Sequence, residues 1–140
     1  MVQAGFESAE EFRRLVYIAA LMRCFPGRNR SDSGDLRPPP AAMANCSHWL
    51  EAELRILRPK VLIPVGQMAI ERFLGPGRLD DRVGRRFGTG PVVVPLPHPS
   101  GQSRWLNDPA NRARLAAALG LVAELRVHSA TSRRRSQEES

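Results

Sequence analysis

The sequence holds 140 residues, 42% of them hydrophobic, which allows one domain with a modest core. No apolar stretch approaches the roughly 20 residues a membrane span needs, and the first eleven residues lack the apolar centre of a signal peptide, so a soluble cytoplasmic protein without a membrane partner is expected. A formal charge of +7 and a pI of about 11.1 favour an anionic partner such as nucleic acid, although Lys60 is the only lysine and Arg133, Arg134 and Arg135 supply much of the excess from a tail.

The chain opens with a short helix predicted over residues 7–14, with Ser8 as its cap and acidic residues in the first turn. Residues 15–22 (Leu-Val-Tyr-Ile-Ala-Ala-Leu-Met) form a nearly unbroken apolar run that reads as a buried parallel strand. A polar connection rich in Gly, Pro, Asp and Arg follows over residues 23–40, too long for a plain turn. Residues 41–57 predict a helix, because Met43, Cys46, Leu50, Leu54 and Leu57 recur at three- and four-residue steps and make one apolar stripe. Pro59 stops it. Residues 60–65 read as a second buried strand with Pro64 near its end, Gly66 opens a helix over 67–74, and 75–90 is a turn-rich linker. Val92, Val93 and Val94 make a third strand. Asn107 or Asp108 can cap a last helix over residues 109–126, with Leu115, Leu119, Val122 and Leu125 facing inward. Residues 127–140 read as a disordered basic tail beyond a domain over 1–126. Strands alternating with helices imply parallel pairing and a three-layer α/β/α sandwich with a short parallel sheet.

The most informative stretch is residues 92–106. Its β-branched run delivers His98 into a loop tightened by Pro99, Ser100 and Gly101. Ligands of open α/β sheets bind beyond the carboxyl ends of the strands, which makes His98 a site candidate, against the plainer alternative of a loop histidine bonded to its own backbone. Ser103, Arg104, Trp105 and Leu106 follow. Small residues let backbone N–H groups approach an anion, and an arginine beside large apolar residues suits a protein that grips phosphates and fills a gap in a base stack. The alternative for Trp105 and Leu106 is that they staple the last helix to the sheet. Cys24 and Cys46 are too few for a structural zinc or iron–sulfur site of four ligands and, taken alone, read as core residues.

His98-Pro99-Ser100-Gly101 after a β-run resembles the second active-site motif of the uracil-DNA glycosylase superfamily, a His-Pro-Ser followed by a small residue. Val16-Tyr17-Ile18 and then Arg23-Cys24-Phe25-Pro26-Gly27-Arg28-Asn29-Arg30 is similar to the segment around the third cluster cysteine of its iron–sulfur branch. Cys46, in Cys46-Ser47-His48-Trp49-Leu50, falls where the fourth cysteine opens a helix. Arg58-Pro59-Lys60-Val61-Leu62-Ile63-Pro64-Val65-Gly66-Gln67-Met68-Ala69 is similar to the branch's helix-to-strand-to-helix segment, and Arg85 and Arg86 lie near a basic turn before the last strand. The resemblance covers roughly residues 12–125.

The resemblance implies hydrolysis of the N-glycosidic bond of uracil, or of a related deaminated base, in DNA by a monomeric enzyme. His98 would stabilise negative charge on the departing pyrimidine, Ser100 and Gly101 would pinch the DNA backbone, Pro99 and Ser103 would also contact DNA, and Arg104 with Trp105 or Leu106 would occupy the vacated stack. It also implies a [4Fe-4S] cluster, with Cys24 and Cys46 as two ligands and two more expected upstream of Met1. The family's glycine- and proline-rich first motif and its Cys-x-x-Cys pair do not occur in these 140 residues, so the chain is expected to be the carboxyl-terminal part of a longer protein. The absent strand would lie between residues 15–22 and 60–65. Ala20 stands where many relatives carry a base-reading asparagine. Two further readings therefore stand beside the glycosylase: a non-catalytic nucleic-acid-binding relative of the same fold, and an unrelated small hydrolase using His98 as general base. Against the second, Asp80, Asp81 and Asp108 occupy turn or cap positions.

Overall fold

A computed structural model describes residues 4–28, 36–99 and 104–138, with side chains as far as residue 127. The backbone gathers into two compact units, residues 1–16 with 59–140, and residues 17–58. The architecture is α/β, with helices accompanying a short parallel two-stranded sheet. Among the described residues no helix is long and apolar enough to cross a membrane.

In the larger unit, α1 (Ala9–Leu15) starts where expected because Ser8 Oγ accepts from the Glu11 N–H at 3.0 Å, while Glu11 reaches back to the Glu7 N–H at 2.8 Å. Strands β1 (Val61–Leu62) and β2 (Val92–Val93) pair in parallel, Val61 opposite Val92. Both are shorter than the sequence suggests, and proline is the reason. Val92 and Val94 donate to the carbonyls of Lys60 and Leu62 at 2.9 Å, but Pro64 has no N–H to return a bond. Pairing resumes as a single bridge between Val65 and Leu96. There the Leu96 N–H donates to Pro64 O at 3.0 Å and the Gly66 N–H donates to Leu96 O at 2.9 Å.

Helix α3 (Gln67–Leu74) follows at once and buries Ile70 completely. Its carboxyl end is closed by Arg82, whose guanidinium donates to the carbonyls of Leu74, Gly75 and Pro76. Helix α4 (Pro109–Glu138) begins at the expected cap, with Asp108 Oδ1 accepting from the Ala110 N–H at 2.8 Å. It continues to Glu138, well beyond the Arg126 at which the sequence pattern ends it. Ala4, Phe6, Val83, Val94, Ala118 and Val122 form the core, with Leu119 and Leu125 packed against it as expected.

In the smaller unit, α2 (Pro40–Leu57) matches the predicted helix and ends at Arg58, which takes a left-handed conformation (φ 43°) ahead of Pro59. Its stripe is only partly realised: Leu50 is buried, Met43, Cys46 and Leu54 are half-buried, and Leu57 is 45% exposed. The strand expected over residues 15–22 does not form. Leu15 ends α1, residues 16–20 have no regular structure, and Tyr17 and Ile18 are 59% and 76% exposed. An apolar run becomes a parallel strand only when a neighbouring strand takes up its N–H and C=O groups, and among the described residues the sheet holds β1 and β2 alone.

Candidate functional site

His98 lies four residues beyond Val94, the last valine of the β run, in the loop that leaves the carboxyl ends of the parallel strands. The bonds joining Leu96 to Pro64 and Gly66 close the ladder immediately before it, so its backbone departs from a fixed point. Gly66 sits at φ +85° as the residue preceding α3. A Cβ there would lie 3.3 Å from both Cβ and Cδ2 of His98. The imidazole is therefore backed directly by the strand-to-helix turn of β1, and only glycine combines that φ with that clearance. His98 and Pro99 are exposed; Ser100, Gly101 and Ser103 lie outside the described residues.

The chain returns as a short 3-10 turn, Arg104–Asn107. Arg104 is exposed, whereas Trp105 and Leu106 are half-buried. Trp105 packs against the core, and its indole N–H donates to Asp80 Oδ1 at 2.6 Å. Its carbonyl accepts from Asn111 Nδ2 at 2.9 Å, and Arg114 donates to Asn111 Oδ1 at 2.8 Å. Arg112 reaches the carbonyls of Leu106 and Asn107 at 3.2 and 3.3 Å. The hydrogen bond from Trp105, followed by that from Arg78, holds the Asp80 carboxyl below the usual carboxylate range. Asp80 thus spends its charge on structure, and Asp108 caps α4, so neither is a carboxylate partner poised beside a nucleophile. Arg85 and Arg86 are exposed in the same unit.

The smaller unit carries the two thiols. Cys24 is exposed in irregular backbone and Cys46 is half-buried on α2. The same unit holds a polar cluster that periodicity does not foretell: Glu53 accepts from the Tyr17 hydroxyl at 2.6 Å and forms an ion pair with Arg23, whose guanidinium lies 5.9 Å from the Trp49 ring centroid. The Tyr17 and Arg23 hydrogen bonds hold Glu53 below its ordinary range, and the bond to Glu53 pushes the Tyr17 phenol up. Ala20 is exposed and offers a methyl group, with no hydrogen-bonding capacity toward a base. Two thiolates fall short of the four that an iron–sulfur cluster takes, and among the described residues no three His, Cys, Asp or Glu side chains gather as a metal site. The residues present do not by themselves fit the cluster.

The sequence nominates His98 and the 104–106 segment as candidates but says nothing of the Gly66 contact or the Asp80 bond. A glycine between an apolar strand and a helix was the available signal for the first; for the second, 25 residues away, there was none. Comparison with known proteins places this geometry in context. The family model described as the uracil DNA glycosylase superfamily matches residues 2–120. A type-4 uracil-DNA glycosylase of Thermotoga maritima is 30% identical over 92 residues, covering 63% of this chain and 45% of that protein. A type-5 uracil-DNA glycosylase of Pyrobaculum aerophilum is 36% identical over 56 residues, covering 40% of this chain and 22% of that protein. The matches span less than half the length of these relatives.

Proposed function

Because the chain belongs to the uracil DNA glycosylase superfamily, we propose that it takes part in DNA repair by hydrolysing the N-glycosidic bond of uracil, or of a related deaminated base, in DNA. The observation that carries this reading is His98 at the carboxyl mouth of two parallel strands, held against Gly66. In the reaction the bond between the sugar C1′ and the base nitrogen breaks, and its electron pair leaves with the base. Water supplies the hydroxyl that C1′ gains and the proton that the base finally takes up. Charge develops on the pyrimidine oxygens as the bond lengthens. A fixed imidazole N–H aimed at the O2 position stabilises that charge without reorganising, and one such donor is worth on the order of 100- to 1,000-fold in rate. His98 is assigned that role.

Pro99, Ser100, Gly101 and Ser103 hold the DNA backbone in this reading, Arg104 pairs with a phosphate, and Leu106 enters the gap left by the extruded base. Trp105, bonded to Asp80 and packed on the core, anchors the turn. Cys24 and Cys46 supply at most half of an iron–sulfur ligand set, so no step is assigned to a cluster. A soluble cytoplasmic monomer is the matching cellular form.

The exposed Ala20 favours one competing reading, a relative that binds nucleic acid without cleaving it. Single-turnover assays with excess protein on uracil-containing single-stranded DNA separate the two. The glycosylase reading expects slow uracil release by this chain, lowered by His98→Ala on the order of 100- to 1,000-fold with little change in DNA affinity. Tight binding with no release, unaltered by His98→Ala, identifies the non-catalytic relative.

A further inference from the structure

We propose that Asp80 is a positioning residue for the DNA-contacting turn and acts through the Trp105 indole; this rests on the assignment of Arg104 and Leu106 to DNA given above. A four-residue 3-10 turn has too few internal bonds to hold its own shape. The Arg104–Asn107 turn is instead pinned from outside at both ends of one residue. The Trp105 side chain is fixed by Asp80 at 2.6 Å and its backbone carbonyl by Asn111 at 2.9 Å. Asn111 is itself buried and tied to Arg114. Asp80 lies in a second 3-10 turn, Leu79–Asp81, and its other oxygen accepts from Arg78 at 3.1 Å.

A carboxylate accepting an indole N–H is a charge-assisted bond, shorter and stronger than one between neutral groups. It commits the tryptophan to the core and leaves the residues on either side to meet a ligand. Arg104 is exposed and Leu106 half-buried on that same turn. Releasing the indole frees the turn to sample other conformations, and binding DNA must then restore the order. The loss therefore registers in DNA affinity although Asp80 itself meets no DNA.

The test uses the full chain with Trp49→Phe, which leaves Trp105 as the sole indole. Two quantities are read: the indole ¹⁵N–¹H resonance with its solvent exchange, and binding of a fluorescein-labelled uracil-containing single strand. The parent should show a protected indole proton. Asp80→Ala should expose it and weaken DNA binding about tenfold, the scale of one lost hydrogen bond to a charged group. Trp105→Phe, which keeps a ring in the core, should cost the same, and the double variant no more than either alone. Asp80→Asn retains an acceptor oxygen and should recover most of the affinity. An unchanged affinity in Asp80→Ala, or additive losses in the double variant, overturns the proposal while leaving the DNA assignment standing. A parent that binds no DNA overturns the DNA assignment and, with it, the inference. A parent whose indole proton exchanges freely overturns the Asp80 contact directly. Should Asp80→Ala fail to fold, Trp105→Phe with unaltered affinity is the overturning result.

Discussion

Gly66 and His98 form one device at the scale of single residues. The glycine's backbone occupies a region that side chains avoid, and its missing Cβ leaves the space in which the imidazole rests. Gly66→Ala should therefore cost about 1–3 kcal/mol in strain and push His98 from its place. The expected result is a lower thermal midpoint together with a fall in single-turnover rate that exceeds any loss of DNA affinity. Equal rates in both forms would show that the close packing has no bearing on chemistry. Glu53 makes a second residue-scale prediction. Its hydrogen bonds from Tyr17 and Arg23 depress its pKa in the folded state. A depressed carboxyl contributes stability that is present above its unfolded value, about 4.3, and is lost as pH falls through the folded one. Thermal midpoints of the parent should drop below about pH 4, and Glu53→Gln should flatten that part of the profile.

At the scale of elements, helices were legible more fully than strands, of which the parallel pair β1 and β2 is kept in shortened form and the run after Leu15 is not, for a physical reason. A helix satisfies its own backbone and signals its ends locally, so Ser8, Asp108 and Pro59 mark boundaries that the structure keeps. A strand depends on partners the sequence does not name. The apolar run after Leu15 has the composition of a buried strand yet remains irregular, and Pro64 cuts the β1 ladder short. Helix α4 runs past Arg126, where its apolar pattern ends, because nothing between Arg126 and Glu138 breaks a helix. Proline and glycine around His98 single it out as a candidate in the sequence, whereas the Asp80–Trp105 bond spans 25 residues that no pattern links. The cap on α4 offers a direct check. Asp108→Ala should lower stability by about 0.5–2 kcal/mol in urea denaturation without altering the slope of the transition.

The whole molecule divides into a better packed and a poorly packed unit. The larger holds the cluster built on Phe6, Val83, Val94 and Val122. Among the described residues of the smaller, Leu50 alone is buried, while Phe25, Trp49 and Ile56 are 68%, 53% and 80% exposed. Segments with few buried contacts open first. Hydrogen exchange should thus be faster in residues 17–28 and 40–58 than around Val94 and Val122, and uniform protection would contradict the division. Exposed apolar surface of this kind also limits solubility, and the matched relatives extend well beyond the shared stretch. On the glycosylase reading proposed above, uracil release by this chain is expected to be slow, and robust multiple turnover would refute that. With two cysteines it should also retain no stable iron–sulfur chromophore after anaerobic reconstitution, as visible absorption and iron analysis would report.

If His98 stabilises charge on a departing pyrimidine, the acidity of the leaving group sets how much the imidazole is worth. Single-turnover release should be compared for uracil and for the more acidic 5-fluorouracil, in the parent and in His98→Ala. His98→Ala should carry a penalty on the order of 100- to 1,000-fold for uracil that shrinks clearly for 5-fluorouracil, whose anion needs less help. Equal penalties for the two bases, or none for either, would contradict that role.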